Sequence, residues 1–267
     1  MTSTNPGGYL DGRGKRLSGR AAIVAGAGST GEFLGTGAAT ASLFAAQGAF
    51  TGVLDASADR AAATCELIER HGGTAVALTA DITDATAVGR VIDDFVTRAG
   101  RLDAVVNNTG ISGGSWDHVF AVNVTGTMNV SEAAHEHLIR AGGGSIVNVS
   151  SVAALRGFGG GAYAASKGAV LSLTTDLAYR WGPEGIRVNC LVPGHLHTPI
   201  GNQGGSGARE ARRKANLLAT EGTAWDLAWA ALFLAGPESR WITGVALPVD
   251  AGTTTATGLG MLARMTE

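Results

Sequence analysis

AGAGSTGEFLGTG, residues 25–37, stands between the apolar run AAIVAG (21–26) and the alanine-rich run TASLFAAQG (40–48). An apolar run, then glycines, then a stretch free of helix breakers reads as strand, turn and helix. Such a turn lets backbone N–H groups approach a phosphate at the helix N-terminus. The stretch holds a literal G-x-G-x-x-G at Gly26, Gly28 and Gly31, and a later pair, Gly35 and Gly37, around Thr36. A helix starting at Gly31 would carry Gly35 and Gly37 in its first turns, at about 1 kcal/mol each against alanine. A helix starting near Gly37 runs uninterrupted to Gly48. The second reading fits helix energetics better and leaves a long loop framed by Gly26 and by Gly35 and Gly37.

Outward from this turn, strands alternate with helices. FTGVLD (50–55), TAVALTAD (74–81), LDAVVNNTG (102–110), SIVNVSS (145–151), IRVNCLVPG (186–194) and VALPVD (245–250) read as strands. Helical patterns fall at 58–72, 87–100, 117–140, 162–181 and 224–235. Apolar strands separated by helices predict an α/β fold, a Rossmann-type doubly wound parallel sheet with helices on both faces. One domain is expected over 18–252, with a flexible arm at 1–17 and a tail at 253–267. GNQGGSG (201–207) reads as a mobile loop over a site.

Hydrophobic residues make up 45% of the 267 positions, so a sizeable core is expected. A net charge of -2 argues against nucleic acid as the main partner. The basic run AREARRKAN (208–216) reads as a solvated helix face, with an acidic substrate as the alternative. Cys65 and Cys190 lack metal-ligand spacing and suit a reducing compartment. No apolar run is long enough for a membrane span, and the N-terminus lacks the apolar stretch of a signal peptide. A cytoplasmic protein without a membrane partner is expected.

Asp55 ends the second strand. A carboxylate there can accept from both adenosine ribose hydroxyls and would repel a 2′-phosphate. No Lys or Arg lies in Ala27–Gly31 or directly after Asp55, so NAD is favoured over NADP. Further on, YAASK places Tyr163 and Lys167 four apart, on one helix face. An ammonium beside a phenol favours the phenolate. A hydroxyl at the end of the SIVNVSS strand can polarise a carbonyl next to that phenol.

In this order the chain resembles the short-chain dehydrogenases/reductases over residues 18–252. The resemblance is carried by GTG (35–37), Asp55, ADIT (80–83), NNTG (107–110), Asn123 in VFAVNVTG, the serine pair 150–151, YAASK and PGHLHT (193–198), with TAWDLAWAALFLA (223–235) and ITGVALPVDAG (242–252) closing the pattern. It implies Tyr163 as proton donor or acceptor and Ser151 on the substrate oxygen. Lys167 would bind the nicotinamide ribose, and Asn123 would hold a water for proton relay. Gly26, Gly28, Gly35, Thr36 and Gly37 would frame the pyrophosphate, with Asp81 and Ile82 at the adenine. Asn107, Thr109 and Gly110 would line the cofactor cleft, and Pro193, Gly194, Leu196 and Thr198 would embrace the nicotinamide half. NAD, a small alcohol or ketone substrate, no metal, and a homotetramer or dimer are implied as well. A non-catalytic dinucleotide-binding module, or a methyltransferase using S-adenosylmethionine, would share the turn but has no use for YAASK.

Three departures stand out. Eight residues, not the family's three, separate Gly26 from Gly35, which makes Thr30–Leu34 an inserted flap with Glu32 and Phe33 free to touch cofactor or a neighbouring subunit. The stretch after NNTG is short, only Ile111 to Ser115 before Trp116, which opens the site's mouth on that side. Ser151 lies twelve positions before Tyr163 and Ser150 thirteen. Motif order favours Ser151 and family spacing favours Ser150, and neighbours on a strand face opposite ways, so only one can serve. His195 and His197 lack a third nearby ligand. Either one, with Trp116, Phe158 or Ile200, is a candidate for the substrate pocket.

Overall fold

The computed structural model describes residues 15–29, 34–198 and 205–266. Nine strands are described: β1 (Ala21–Ala25), β2 (Phe50–Asp55), β3 (Thr74–Thr79), β4 (Ala104–Asn107), β5 (Gly144–Val149), β6 (Ile186–Pro193), β7 (Leu196–His197), β8 (Gly222–Thr223) and β9 (Ala246–Val249). Seven form one parallel sheet in the order β3-β2-β1-β4-β5-β6-β9. β7 and β8 pair separately as a short parallel ribbon.

The α-helices are α1 (Thr36–Ala46), α2 (Ala58–Arg70), α3 (Ala85–Ala99), α4 (Trp116–Phe120), α5 (Gly126–Arg140), α6 (Gly161–Trp181), α7 (Gly205–Lys214), α8 (Ala224–Ala235) and α9 (Gly258–Thr266). The sheet buries alternate side chains on its two faces, as a strand's period of two requires. Ala22 and Val24 of β1 join Val53, Val106 and Val147 beneath α1, α2 and α8. Ala21, Ile23 and Ala25 join Leu54, Val105 and Ile146 beneath α3, α5 and α6. The strand order reverses direction between β1 and β4. A crevice outside the carboxyl ends of the strands opens at such a point.

The expected α/β Rossmann sheet is therefore present, and α1 begins at Thr36, with Gly35 as its N-cap, beside the expected start near Gly37. Three local differences stand out. Leu17, placed in the flexible arm, is buried in the core, and its N–H bonds the Gln47 carbonyl. Leu34, placed in the flap, is buried in the same core face as α1. Gly205–Gly207, read as loop, already belong to α7, and the tail carries α9 with Met261 buried. Residues 1–14, the flap residues Thr30, Gly31, Glu32 and Phe33, and Ile200 lie outside the described residues, as does 201–204.

Candidate active site

The glycine turn is built around contacts that no side chain could share. Gly26 has φ +72, and a Cβ there would lie 2.7 Å from the Thr109 backbone. A Cβ on Gly37 would run into the Gly26 carbonyl, so the strand end and the first turn of α1 touch directly. Asn108 seals that contact: its amide donates to the Gly26 carbonyl (3.1 Å), and its carbonyl accepts from the Thr36 hydroxyl (2.8 Å). Gly35 faces open space and offers α1 no side-chain cap. The N–H groups of the first turn of α1 therefore receive no side-chain cap.

Gly28 lies against the end of β2. Its N–H donates to Asp55 Oδ2 at 3.0 Å, and a Cβ there would strike both Asp55 and Arg60. Asp55 Oδ1 accepts from the Ser57 N–H (3.0 Å) and from Arg60 Nε (3.1 Å) and Nη2 (2.8 Å). The Arg60 carbonyl in turn takes the Ser29 N–H at 3.1 Å. Arg60 was not among the sequence candidates. Its position in the first turn of the helix that follows Asp55 was the available signal.

Asp81 lies exposed beyond β3, with Oδ1 accepting from the Thr83 N–H (2.9 Å) and hydroxyl (2.8 Å). Ile82 is buried against Gly126, where a Cβ would collide with its side chain. Asn107 departs from expectation. Its amide donates into the interior, to Ser131 Oγ (2.9 Å) and Asn148 Oδ1 (2.8 Å), so its side chain ties β4 to β5 and α5. The neighbouring Asn108 lines the cleft instead. Strand alternation explains the exchange, since adjacent residues face opposite ways. Thr109 Oγ1 is buried without a hydrogen-bond partner beside Gly26.

The polar core of the site joins four elements. Asn123 sits in a π-helical turn, Ala121–Thr125, between α4 and α5. Its carbonyl accepts from the Ile111 N–H (2.9 Å), and its amide donates to the Ile111 carbonyl (3.0 Å) and to Ser166 Oγ (2.9 Å). It thus fixes the short Ile111–Ser115 connection to α6. Lys167 is buried, donates from Nζ to the Val149 carbonyl at 2.8 Å, and lies 5.9 Å from the centre of the Tyr163 ring. A Cβ on Gly110 would lie 2.8 Å from that Nζ, so the ammonium packs against bare backbone. Burial pushes the Lys167 amine down to about 8. The neighbouring Cys190 thiol is pushed up to about 11, chiefly by burial, and stays neutral near pH 7.

The two serines have different partners. Ser150 donates its hydroxyl to the Lys167 main-chain carbonyl. Ser151 Oγ accepts from the Ala153 N–H at 3.2 Å, which leaves its own proton uncommitted to that bond. Ser151, Tyr163 and Lys167 border one cleft with Thr36, Asn108 and Gly110. Pro193, Gly194, Leu196 and Thr198 form its far wall, together with His195.

At the mouth His195 meets Phe158 edge to face, with ring centres 5.2 Å apart. Desolvation of the imidazole, then Arg212 nearby, hold its pKa below the ordinary value. Trp116 is exposed and stacks on Phe120, 5.2 Å away. The basic run on α7 is largely paired: Arg209 forks onto Glu221, and Arg213 bonds Glu210 at 2.8 Å. Arg212 lines a second cavity, with Asn216, Glu221 and Asp250, behind the Gly194–Leu196 wall. No cluster of three metal-ligating side chains occurs among the described residues, and no described helix is long and apolar enough to cross a membrane.

The residues present fit a nicotinamide dinucleotide. The uncapped start of α1 and the Cβ-free contacts of Gly26 and Gly37 suit a pyrophosphate. Asp55 stands at the end of β2, and the Tyr163–Lys167 pair borders the cleft that includes Thr36 and Asn108.

Comparison with known proteins agrees. A family model described as enoyl-(acyl carrier protein) reductase matches residues 32–254. An uncharacterized short-chain type dehydrogenase/reductase of Sinorhizobium fredii is 37% identical over 250 residues, covering 88% of this chain and 98% of its own. Among solved structures, a 7α-hydroxysteroid dehydrogenase complexed with NADH and 7-oxo glycochenodeoxycholic acid superposes with a TM-score of 0.82 at 31% identity, over 89% of this chain and 95% of its own. A gluconate 5-dehydrogenase from Burkholderia cenocepacia, in complex with NADP and tartrate, gives 0.83 at 31% identity, over 92% and 100%. Sheet order, glycine turn, Tyr–Lys helix and these likenesses converge: the chain belongs to the short-chain dehydrogenase/reductase family of oxidoreductases, which act on alcohols and ketones with a nicotinamide dinucleotide.

Proposed function

We propose that this protein interconverts a secondary alcohol and a ketone with NAD, using Tyr163 as the general acid/base. One observation carries the reading: Ser151, Tyr163 and the buried Lys167 border a single cleft at the carboxyl end of the sheet. The bound nicotinamide supplies or accepts the hydride. Tyr163 gives a proton to the carbonyl oxygen in reduction and takes it back in oxidation. Ser151 donates to the same oxygen as charge develops there. The Lys167 ammonium, desolvated and held by the Val149 carbonyl, favours the charged form of the phenol oxygen. The Asn123 bonds to Ile111 and Ser166 hold α6 and the Gly110 backbone in register around that ammonium.

Gly26, Gly35 and Gly37 would hold the pyrophosphate, and Asp55 the adenosine ribose. The negative carboxylate favours NAD, so NADPH is expected to bind at least about tenfold more weakly than NADH. Tyr163→Phe keeps the ring and removes the hydroxyl. It is expected to retain NADH binding and to lose nearly all turnover across an alcohol and ketone panel followed at NADH absorbance. Turnover that survives in this variant overturns the role of Tyr163.

A further inference from the structure

We infer that Arg60 sets how strongly this chain discriminates NAD from NADP, by masking the Asp55 carboxylate and by supplying a cation beside it. The inference rests on the proposed contact of Asp55 with the adenosine ribose. Asp55 is not the bare anion that its position suggests. Its side chain is 10% exposed, and Oδ1 already accepts the Ser57 N–H and two bonds from the Arg60 guanidinium. Oδ2 carries one bond, from the Gly28 N–H, and so keeps room for another donor. The carboxylate can therefore meet a ribose diol through Oδ2 while Arg60 remains on Oδ1.

Arg60 occupies an unusual place. A cation in the first turn of a helix works against the helix dipole. Arg60 is in the first turn of α2, and its guanidinium folds back onto Asp55 at the end of β2. Its side chain is 48% exposed, so the guanidinium faces both the carboxylate and solvent at the rim of the crevice. Its backbone is fixed too, because its carbonyl holds the Ser29 N–H at the stem of the glycine loop. Gly28 packs against the Asp55 and Arg60 side chains so closely that no side chain fits at position 28.

A 2′-phosphate on a ribose bound at Asp55 stands beside the carboxylate and hence beside its partner Arg60. Arg60 lowers the repulsion that Asp55 alone would impose, and it offers the forked donors that suit a phosphate. The chain's discrimination is then the difference between two opposed charges, not the effect of one.

The test is equilibrium titration of the protein with NADH and with NADPH, without substrate, read by quenching of protein fluorescence. Arg60→Gln and Arg60→Ala are expected to raise the ratio of NADPH to NADH dissociation constants about fivefold, the size of a single exposed charge contact. Arg60→Lys, which keeps the charge, is expected to stay near the unaltered ratio. The shift is expected to shrink in 0.5 M NaCl, because the contact is solvent-exposed. A ratio that does not move in the neutral variants overturns the inference. So does an equal loss of both affinities, which is what a merely structural role predicts. The ratio of the unaltered chain tests NAD preference separately: a chain that binds NADPH more tightly overturns that preference, while the shift on neutralising Arg60 is still read from the change.

Discussion

The Ser150 hydroxyl donates to the main-chain carbonyl of Lys167 across 2.7 Å, so this buried serine fastens β5 to the helix that carries Tyr163. Ser151, one residue on, reaches the cleft with its donor capacity open. The two serines should therefore fail in different ways. Ser151→Ala is expected to lower turnover by about 100-fold or more with little change in melting temperature. Ser150→Ala leaves a buried acceptor short of a partner and is expected to cost about 1–3 kcal/mol of stability. Steady-state kinetics and thermal unfolding on both variants check this, and reversed phenotypes sink it.

Lys167 makes the stability of the protein without cofactor depend on alkaline pH. Its amine titrates near 8 when folded, against 10.5 as the ordinary value. The unfolded chain thus binds a proton between these values that the folded chain does not, and stability rises with pH across that window. Below about pH 8 the full penalty of burying the ammonium is present, on the order of 3 kcal/mol. Lys167→Met removes the charge. Its stability relative to the unaltered protein is expected to fall by about 2 kcal/mol between pH 7 and pH 10. Urea unfolding at both pH values measures this, and a difference independent of pH counts against the buried ammonium.

Gly35 and Gly37 are two positions apart and should respond oppositely to a methyl group. Gly35 has φ -73 and open space around it. Gly35→Ala is expected to keep the fold within about 0.5 kcal/mol. Gly37→Ala forces the start of α1 away from the Gly26 carbonyl. It is expected to cost about 3 kcal/mol and to weaken NADH binding at least tenfold. Thermal unfolding of the two variants separates the roles, since both glycines are placed at the pyrophosphate. Equal behaviour would falsify the direct turn-to-helix contact.

Glu221 joins α7 to the wall of the cleft. It takes the Arg209 fork, and His197 of β7 lies 4.0 Å away. The Arg209 hydrogen bonds hold its carboxyl below the usual carboxylate range. This contribution is present above that range and is lost as pH falls through the depressed value. Glu221→Gln is expected to speed hydrogen exchange across 205–214 at neutral pH and to raise KM more than it lowers kcat. Unchanged exchange there would show that α7 is held by other contacts.

The strand and helix pattern was legible because it depends on local periodicity. FTGVLD is β2 from end to end, and 224–235 is α8. The choice of Gly35–Gly37 as the start of α1 was also legible, because glycine's cost inside a helix is a local quantity. The start, expected near Gly37, lies one residue earlier at Thr36. Leu34 was misread because a residue inside an apparent insertion can still be pulled into the core.

The sequence by itself determined the doubly wound α/β architecture, the position of Asp55 at the end of β2, and the pairing of Tyr163 with Lys167 on one helix face, because each follows from spacing along a strand or helix. Tertiary structure alone decided that Asn108 rather than Asn107 lines the cleft and that Ser150 and Ser151 take different hydrogen-bond partners, because that depends on partners far away in the chain. Gly26 lies 82 positions from Asn108, and Ser150 17 from Lys167. It also decided that Asp55 carries Arg60: the two are only five residues apart, but the packing of α2 against the end of β2 sets the direction in which the guanidinium folds.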